Sequence, residues 1–260
     1  MKTILKYYND ICNKKYQHLG FKRSKKTFAR INGDVLQSFT FKCICAPVCS
    51  IEFGIFPLCM PTPIFIDSGG YELDKFVVEI YEKSSGWPFD PHSDESMKKC
   101  IESVSEAIDF YLLPFFDICN DCRSSLHELR KIEELFEGNR QKVLHLRGES
   151  DCAIPWEERS LFDSRKYYMA LKAQDLLYSR QYLCHQIASH EKMLNAFNCP
   201  TSPKQPESVK VGLGERLIQY ADELKQVEAG NWEYFNKIIC FNEEMMKTYI
   251  TTKYPNIWNS

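Results

Sequence analysis

The sequence contains no long hydrophobic run, although 44% of its 260 residues are hydrophobic. No window approaches the roughly 18 consecutive apolar residues that a membrane-spanning helix requires. The N-terminal stretch MKTILKYYNDICNKK lacks the continuous apolar segment of a secretory signal, because polar residues interrupt it at once. We therefore expect a cytoplasmic globular protein that does not interact with a membrane.

Residue combinations that are diagnostic of catalysis or phosphate binding are also missing. No nucleophile, base and orienting group occur at a recognisable spacing, and Val211–Glu215 has a GxG pattern without a third glycine. His185 and His190 are five residues apart, which places them on different faces of a helix and argues against a shared metal ion. The sequence predicts no catalytic residue, no metal site and no cofactor.

Cysteine is abundant, with twelve residues, but the expected intracellular location keeps thiols reduced. Most cysteines are predicted to be small core residues. Those at apolar positions of a helix or strand pattern are Cys12, Cys43, Cys45 and Cys184.

Cys119 and Cys122 have the CxxC spacing of a redox pair or of half a zinc site. No second CxxC or HxxxH accompanies them, and the strand that precedes a thioredoxin-like motif is absent. We interpret them as helix-terminus cysteines. A metal- or thiol-dependent enzyme that uses this pair is the alternative function.

The first 92 residues have the pattern of a helix followed by an antiparallel sheet. Residues 3–19 repeat apolar side chains at helical spacing before Gly20, which predicts an amphipathic helix that ends there. Its apolar positions are Ile4, Tyr8, Ile11, Cys12, Tyr16 and Leu19. Asn32-Gly33 then predicts a hairpin turn, because these residues readily adopt positive φ values.

Period-two alternation predicts strands on both sides of this turn and a third strand after it. Beyond the turn, one face carries Val35, Phe39, Phe41, Cys43 and Cys45. In the third strand, Cys49, Ile51, Phe53 and Ile55 alternate with Ser50, Glu52 and Gly54, which predicts a single buried face. Residues 71–81 predict a bulged fourth strand. The expected fold is α+β, with a meander of about four strands.

The loop at 84–94 is the predicted boundary between a sheet region, residues 1–92, and a helical region, residues 93–260, which we expect to pack together as one compact unit. The first predicted helix spans 96–113 and is ended or kinked by Pro114, and the second spans 124–137. A helical hairpin follows within 157–197, and then an exposed loop at 198–208. The last two predicted helices span 213–228 and 231–253. The apolar positions of the hairpin are Tyr168, Leu171, Leu176, Leu177, Leu183, Ile187, Met193 and Leu194.

Charge is distributed unevenly along the chain. Residues 1–50 hold ten lysines and arginines and two aspartates, a net charge of +8, so the remaining residues carry −10. A basic cluster lies at the predicted turn from helix to strand, with Phe21 and Phe28 interleaved. Its members, and the candidate binding residues, are Lys22, Arg23, Lys25, Lys26 and Arg30. Such a cluster favours an anionic partner outside the molecule or the acidic remainder of the chain.

The segments LGFKRSKKTFAR, VLQSFTFK, SIEFGIF and SEAIDFYLLPFFDIC together resemble the bacterial domain-of-unknown-function family 4304 over roughly the first half of the chain. These motifs are structural, so the resemblance implies a fold and no catalytic residues. The occurrence of members near toxin systems implies at most a binding role.

The function that the sequence predicts is a non-enzymatic protein-binding module, such as an immunity or accessory protein. An anionic protein surface is the favoured partner. Nucleic acid is a weaker alternative, because the slightly negative net charge of the chain opposes it.

Overall fold

The computed structural model describes residues 2–45, 47–61, 71–73, 86–147, 163–197 and 206–258. An N-terminal helix and an antiparallel sheet are followed mostly by helices, which confirms the predicted α+β class. The chain divides into two compact units, one of Met1–Asp151 with Phe241–Ser260 and one of Cys152–Cys240. No helix in the described ranges is both long and apolar enough to cross a membrane.

The first unit begins with a helix and a short 3-10 turn, and then forms the sheet. These elements are α1 (Lys2–Tyr16), the 3-10 turn (Gln17–Leu19), β1 (Lys22–Ser24), β2 (Thr27–Asn32), β3 (Val35–Cys45), β4 (Val48–Pro57), β5 (Tyr71–Glu72) and β6 (Trp87–Pro88). The helices that follow the sheet in this unit are α2 (Asp94–Ala107), a π-helical turn (Ile108–Leu112), α3 (Leu113–Ile118) and α4 (Cys122–Arg147).

The second unit contains α5 (Ser164–Ala173), α6 (Leu176–Phe197), α7 (Glu207–Glu228) and the start of α8 (Trp232–Lys253). The part of α8 from residue 241 onward belongs to the first unit, together with α9 (Pro255–Trp258).

The amphipathic pattern of α1 produces the predicted buried stripe. Its fully buried side chains are Ile4, Tyr8, Cys12 and Tyr16. The ring of Tyr8 lies 5.0 Å from that of Phe41, and the ring of Tyr16 lies 5.6 Å from that of Phe39, so α1 packs on the sheet through aromatic contacts. The predicted burial of Leu19 is wrong, because the 3-10 turn before Gly20 leaves this side chain exposed.

The strands pair antiparallel in the order β1-β2-β3-β4-β5, and β6 pairs with the start of β4. The hairpin predicted at Asn32-Gly33 is confirmed, with Gly33 and Asp34 as its two-residue loop. The predicted fourth strand is present as Tyr71–Glu72, and residues 74–81 lie outside the described residues. The 84–94 segment was predicted as a loop, but Trp87–Pro88 within it forms β6.

The prediction that β4 has a single buried face is wrong, because Ser50, on its other face, is fully buried as well. The face opposite α1 also contains fully buried side chains, namely Thr27, Leu36, Ser38, Thr40 and Ser50. Alternation of polar and apolar residues suggested exposure, but the hydroxyls of Thr27 and Thr40 can be buried because they pair with each other. The hydroxyls of Thr27 and Thr40 are 2.8 Å apart and bridge two strands. Cys43 is only half-buried, and the side chain of Cys45 lies outside the described residues.

The helix predicted over 96–113 is α2 and its π-helical extension. Proline cannot donate to a carbonyl in the preceding turn, and Pro114 follows a turn in which the Leu113 N–H donates to Ile108 O, five residues back. Pro114 does not end the helix, because residues 94–118 remain helical through it, and the proline is accommodated by this local π-helical turn.

In the second unit, α5 and α6 form the predicted helical pair, but several inward positions differ from the prediction. Leu176 and Leu177 are 48% and 63% exposed, and Cys184 is exposed as well. The inward positions belong to tyrosines, because Tyr178 and Tyr182 are spaced by four residues and are both buried. The buried face of α6 is therefore determined by aromatic residues that also carry a polar hydroxyl.

Candidate functional site: the basic hairpin and its cleft

Four of the five candidate binding residues lie on the hairpin formed by β1 and β2. Lys22 and Arg23 belong to β1, and Lys25 and Lys26 form the two-residue loop between Ser24 and Thr27. Arg23 and Lys25 are exposed, whereas Lys22 and Lys26 are half-buried. We call Lys22, Arg23, Lys25 and Lys26 the basic hairpin.

The loop of the basic hairpin contains an unfavourable backbone conformation. Lys25 has a φ of +56°, in the left-handed region that glycine and asparagine adopt with less strain. A lysine at this position places a positive charge at the tip of the hairpin at a conformational cost of about 1 kcal/mol.

None of the four cations of the basic hairpin forms an ion pair with a described residue of the first unit. Other cations of this unit do: Lys15 pairs with Asp109 at 2.7 Å, and Lys42 pairs with Glu52 at 3.0 Å. The basic hairpin thus keeps its charge available, whereas Lys15 and Lys42 are paired within the fold.

Arg30, the fifth candidate, has a different role. Its Nη2 donates to Asp117 Oδ1 at 2.7 Å, and its Nε donates to Gln37 Oε1 at 2.7 Å. Its guanidinium carbon also lies 4.6 Å from the centre of the Phe21 ring. With a side chain only 12% exposed, Arg30 holds the sheet against α3 and is not available to an external ligand.

A cleft of about 620 Å³ borders the basic hairpin. Its cationic residues are Lys22 and Arg23, and amide side chains of Asn13, Gln17 and Asn256 line it beside them. Asn13 and Gln17 are four residues apart, on α1 and on the 3-10 turn that follows it, and Asn256 belongs to α9. Cations and amides together match the hydrogen-bonding needs of carboxylate groups.

The sequence did not identify the three amides. The spacing of Asn13 and Gln17 on the polar side of the first predicted helix was a usable signal, since residues four apart share a helix face. Asn256 gave no signal, because only the folded chain brings α9 to β1 and β2.

Cys119 and Cys122 lie at the α3–α4 junction, and both are fully buried. Burial raises the pKa of the Cys119 thiol. A hydrogen bond with Cys59, together with burial, raises the pKa of the Cys122 thiol. Both thiols are therefore protonated at neutral pH, which is the opposite of the activated state that nucleophilic cysteines require.

The part of the chain that the structure describes contains no cluster of three or more histidine, cysteine, aspartate or glutamate side chains suited to a metal ion. Comparisons with protein-family profiles, with curated proteins and with solved structures give no match to this chain.

Proposed function

We propose that the protein is a non-enzymatic binding module that recognises an acidic surface of a partner protein through the basic hairpin. The observation that carries this proposal is the set of four cations without an ion pair in the described part of their unit, next to a cleft lined by amides. Fixed cations of this kind attract and orient an acidic partner.

An acidic protein is favoured over nucleic acid for two reasons. Phe21 and Phe28, the aromatics interleaved with the basic residues, are both 1% exposed, so neither ring offers a surface on which a base could stack. The whole chain also has a net charge of −2, which weakens long-range attraction to a polyanion.

A matched pair of variants tests the proposal. One variant replaces all four cations of the basic hairpin with glutamine. The control replaces the exposed lysines Lys131, Lys192, Lys237 and Lys247, so that both variants lose four positive charges. Binding of a fluorescent poly-glutamate peptide is measured by anisotropy at low ionic strength, and an oligothymidylate is tested in parallel.

The hairpin variant should bind poly-glutamate about fourfold to several hundredfold more weakly, because each of the four surface charges contributes about 0.2–1 kcal/mol. The control should retain most of the affinity. Equal losses in the two variants would show that net charge alone matters and would contradict the proposal. Tighter, more salt-dependent binding of the oligothymidylate would instead identify nucleic acid as the ligand.

Lysines on an edge strand can also prevent unwanted strand pairing, and β1 is at the end of the strand order. If edge protection were their only role, the hairpin variant would form oligomers and the wild-type protein would not bind poly-glutamate. Size-exclusion chromatography of both variants distinguishes this outcome.

A further inference from the structure

Two cysteines outside the basic hairpin are close enough to react with each other. Cys49 lies at the start of β4 and Cys100 lies in α2, and their sulfur atoms are 3.2 Å apart. A disulfide has a sulfur–sulfur distance of about 2.05 Å, so the two atoms need to approach by only about 1.2 Å. Each sulfur also lies 3.5 Å from the carbonyl oxygen of Trp87.

The surroundings give the two thiols different accessibilities. Cys100 lines an open cleft of about 530 Å³ between β6 and α2, whose rim includes Ser96, Lys99 and Ser103, and it is 6% exposed. Cys49 is fully buried behind it. A small oxidant that enters this cleft therefore meets Cys100 first, and Cys49 can react only with Cys100 or with another protein group.

The hydrogen bond between the thiols also makes them chemically different. Donation from Cys49 lowers the pKa of the Cys100 thiol, although burial opposes this effect. The same hydrogen bond and burial raise the pKa of the Cys49 thiol. Cys100 is thus the better source of a thiolate, which is the reactive form of cysteine.

We propose that Cys49 and Cys100 are a peroxide-responsive dithiol, in which Cys100 is oxidised first and Cys49 then closes a disulfide between β4 and α2. The proposal is independent of the proposed binding function, because it uses none of the residues of the basic hairpin or of its cleft.

The reaction balances with one hydroperoxide as the oxidant. The Cys100 thiolate attacks a peroxide oxygen, the O–O bond breaks, and a sulfenic acid forms while hydroxide leaves and takes up a proton. The Cys49 sulfur then attacks the Cys100 sulfur, the S–O bond breaks, and the departing hydroxide takes the proton of Cys49 to form water. With hydrogen peroxide, the two sulfurs together lose two electrons, and two water molecules are released.

Peptide mapping of the full chain tests the proposal. The protein is treated with hydrogen peroxide, its remaining thiols are alkylated, and it is digested without reduction. Trypsin alone is insufficient, because residues 43–75 and 100–123 form two peptides that each contain several cysteines. Additional cleavage after glutamate separates Cys49, in 43–52, from Cys59, in 53–72, and separates Cys100, in 100–102, from Cys119 and Cys122.

The expected product is the peptide 43–52 joined to the peptide 100–102 by a disulfide. Its mass is that of the two reduced peptides less two hydrogen atoms, and dithiothreitol converts it back to the separate peptides. Since 43–52 also contains Cys43 and Cys45, fragmentation must locate the link at Cys49. The adjacent thiols Cys59 and Cys122 are an internal comparison, because they are 0% and 1% exposed, whereas Cys100 is 6% exposed. They should remain reduced at peroxide doses that close the Cys49–Cys100 bond.

Two variants separate the steps. Cys49→Ser should stop the reaction at the Cys100 sulfenic acid, which dimedone traps, and Cys100→Ser should abolish both the adduct and the disulfide. Circular dichroism checks that the variants are folded. If a variant is not folded, the peptide map of the wild-type protein alone decides whether the proposal holds. Absence of the Cys49–Cys100 link in the wild-type protein, or earlier formation of a Cys43–Cys49 or Cys59–Cys122 bond, overturns the proposal.

Discussion

Replacement of Gln37 by leucine should strongly destabilise the first unit. Gln37 points to the same face of the sheet as Phe39, but it is polar and completely buried. Its Nε2 donates to the carbonyl oxygens of Phe116, at 2.5 Å, and Cys119, at 2.8 Å. Its Oε1 accepts from Arg30 at 2.7 Å. The Gln37 side chain therefore supplies hydrogen-bond donors to the carbonyl groups at the C-terminal end of α3 and orients the arginine that binds Asp117.

The size of the effect follows from these three hydrogen bonds. Leucine has a volume similar to that of glutamine, so the change creates little empty space. It leaves two carbonyl groups and one guanidinium N–H without their partner. A hydrogen bond between neutral groups contributes about 1 kcal/mol and one to a charged group about 1.5–3 kcal/mol, so we expect a loss of about 3–5 kcal/mol in the free energy of unfolding.

Urea unfolding followed by far-ultraviolet circular dichroism measures this loss. Ser38→Ala is the matched control, because Ser38 is the next residue, is equally buried, and has a hydroxyl without a hydrogen-bond partner among the described residues. Its removal should change the free energy of unfolding by at most about 1 kcal/mol, in the stabilising direction. If Gln37→Leu costs less than Ser38→Ala does, or less than about 1 kcal/mol, the assignment of Gln37 as a structural link is refuted.

Three further predictions concern single positions. Gly33→Ala should cost about 2–4 kcal/mol in a urea titration, because Gly33 has a φ of +59° and an added Cβ would collide with the backbone oxygen of Asn120; an unchanged midpoint would contradict this close approach. Lys25→Gly should relieve strain, stabilise the fold by about 0.5–1 kcal/mol and weaken poly-glutamate binding a few-fold, so stability and anisotropy measurements should move in opposite directions. Burial tends to raise the pKa of Asp163, but hydrogen bonds and the charge of Arg165 hold this pKa below its usual value. The ionised Asp163 carboxylate therefore contributes fully to stability above about pH 4, and this contribution is lost as the pH falls through the lowered pKa. In Arg165→Met the melting temperature should be lower at neutral pH and should fall less steeply below pH 4 than in the wild-type protein; parallel profiles would disprove the coupling.

Sequence reasoning succeeded where the determining interactions are local. The spacing of Tyr8 and Tyr16 shows the buried side of α1, and the Asn32-Gly33 pair marks a tight turn without reference to any distant residue. The pair did not determine the loop itself, which consists of Gly33 and Asp34, because Asn32 still belongs to β2 and pairs with Val35.

The failures have physical causes in distant contacts. Burial of Ser38 and Thr40 depends on what covers the second face of the sheet, which alternation along one strand cannot reveal. Leu176 and Leu177 satisfied a helical pattern, but tyrosines four residues apart took the inward positions of α6.

The candidate site was predicted in part for the same reason. The basic residues that are adjacent in sequence were identified, whereas the role of Arg30 was not apparent. Its partners Gln37 and Asp117 are 7 and 87 positions away, and the second is far beyond any local pattern. The cleft was also not predicted, since Asn256 is separated from Lys22 by nearly the whole chain.

The hairpin that carries Gly33 and Asp34 is completed by residues that are translated much later. The Asp34 side chain accepts a hydrogen bond from the first N–H of α4, at Cys122, 88 positions away, and Gln37 binds carbonyls 79 and 82 positions away. At translation rates of about 5–20 residues per second, the nascent hairpin waits about 4–18 s for these partners. Until then, Arg30 and Gln37 can bond to each other, but the Arg30 group that binds Asp117 and the Gln37 amide N–H groups that bind Phe116 and Cys119 can bond only to water, which opposes their burial. The sheet is encoded first, but its packing is completed only after α3 and the start of α4 have left the ribosome.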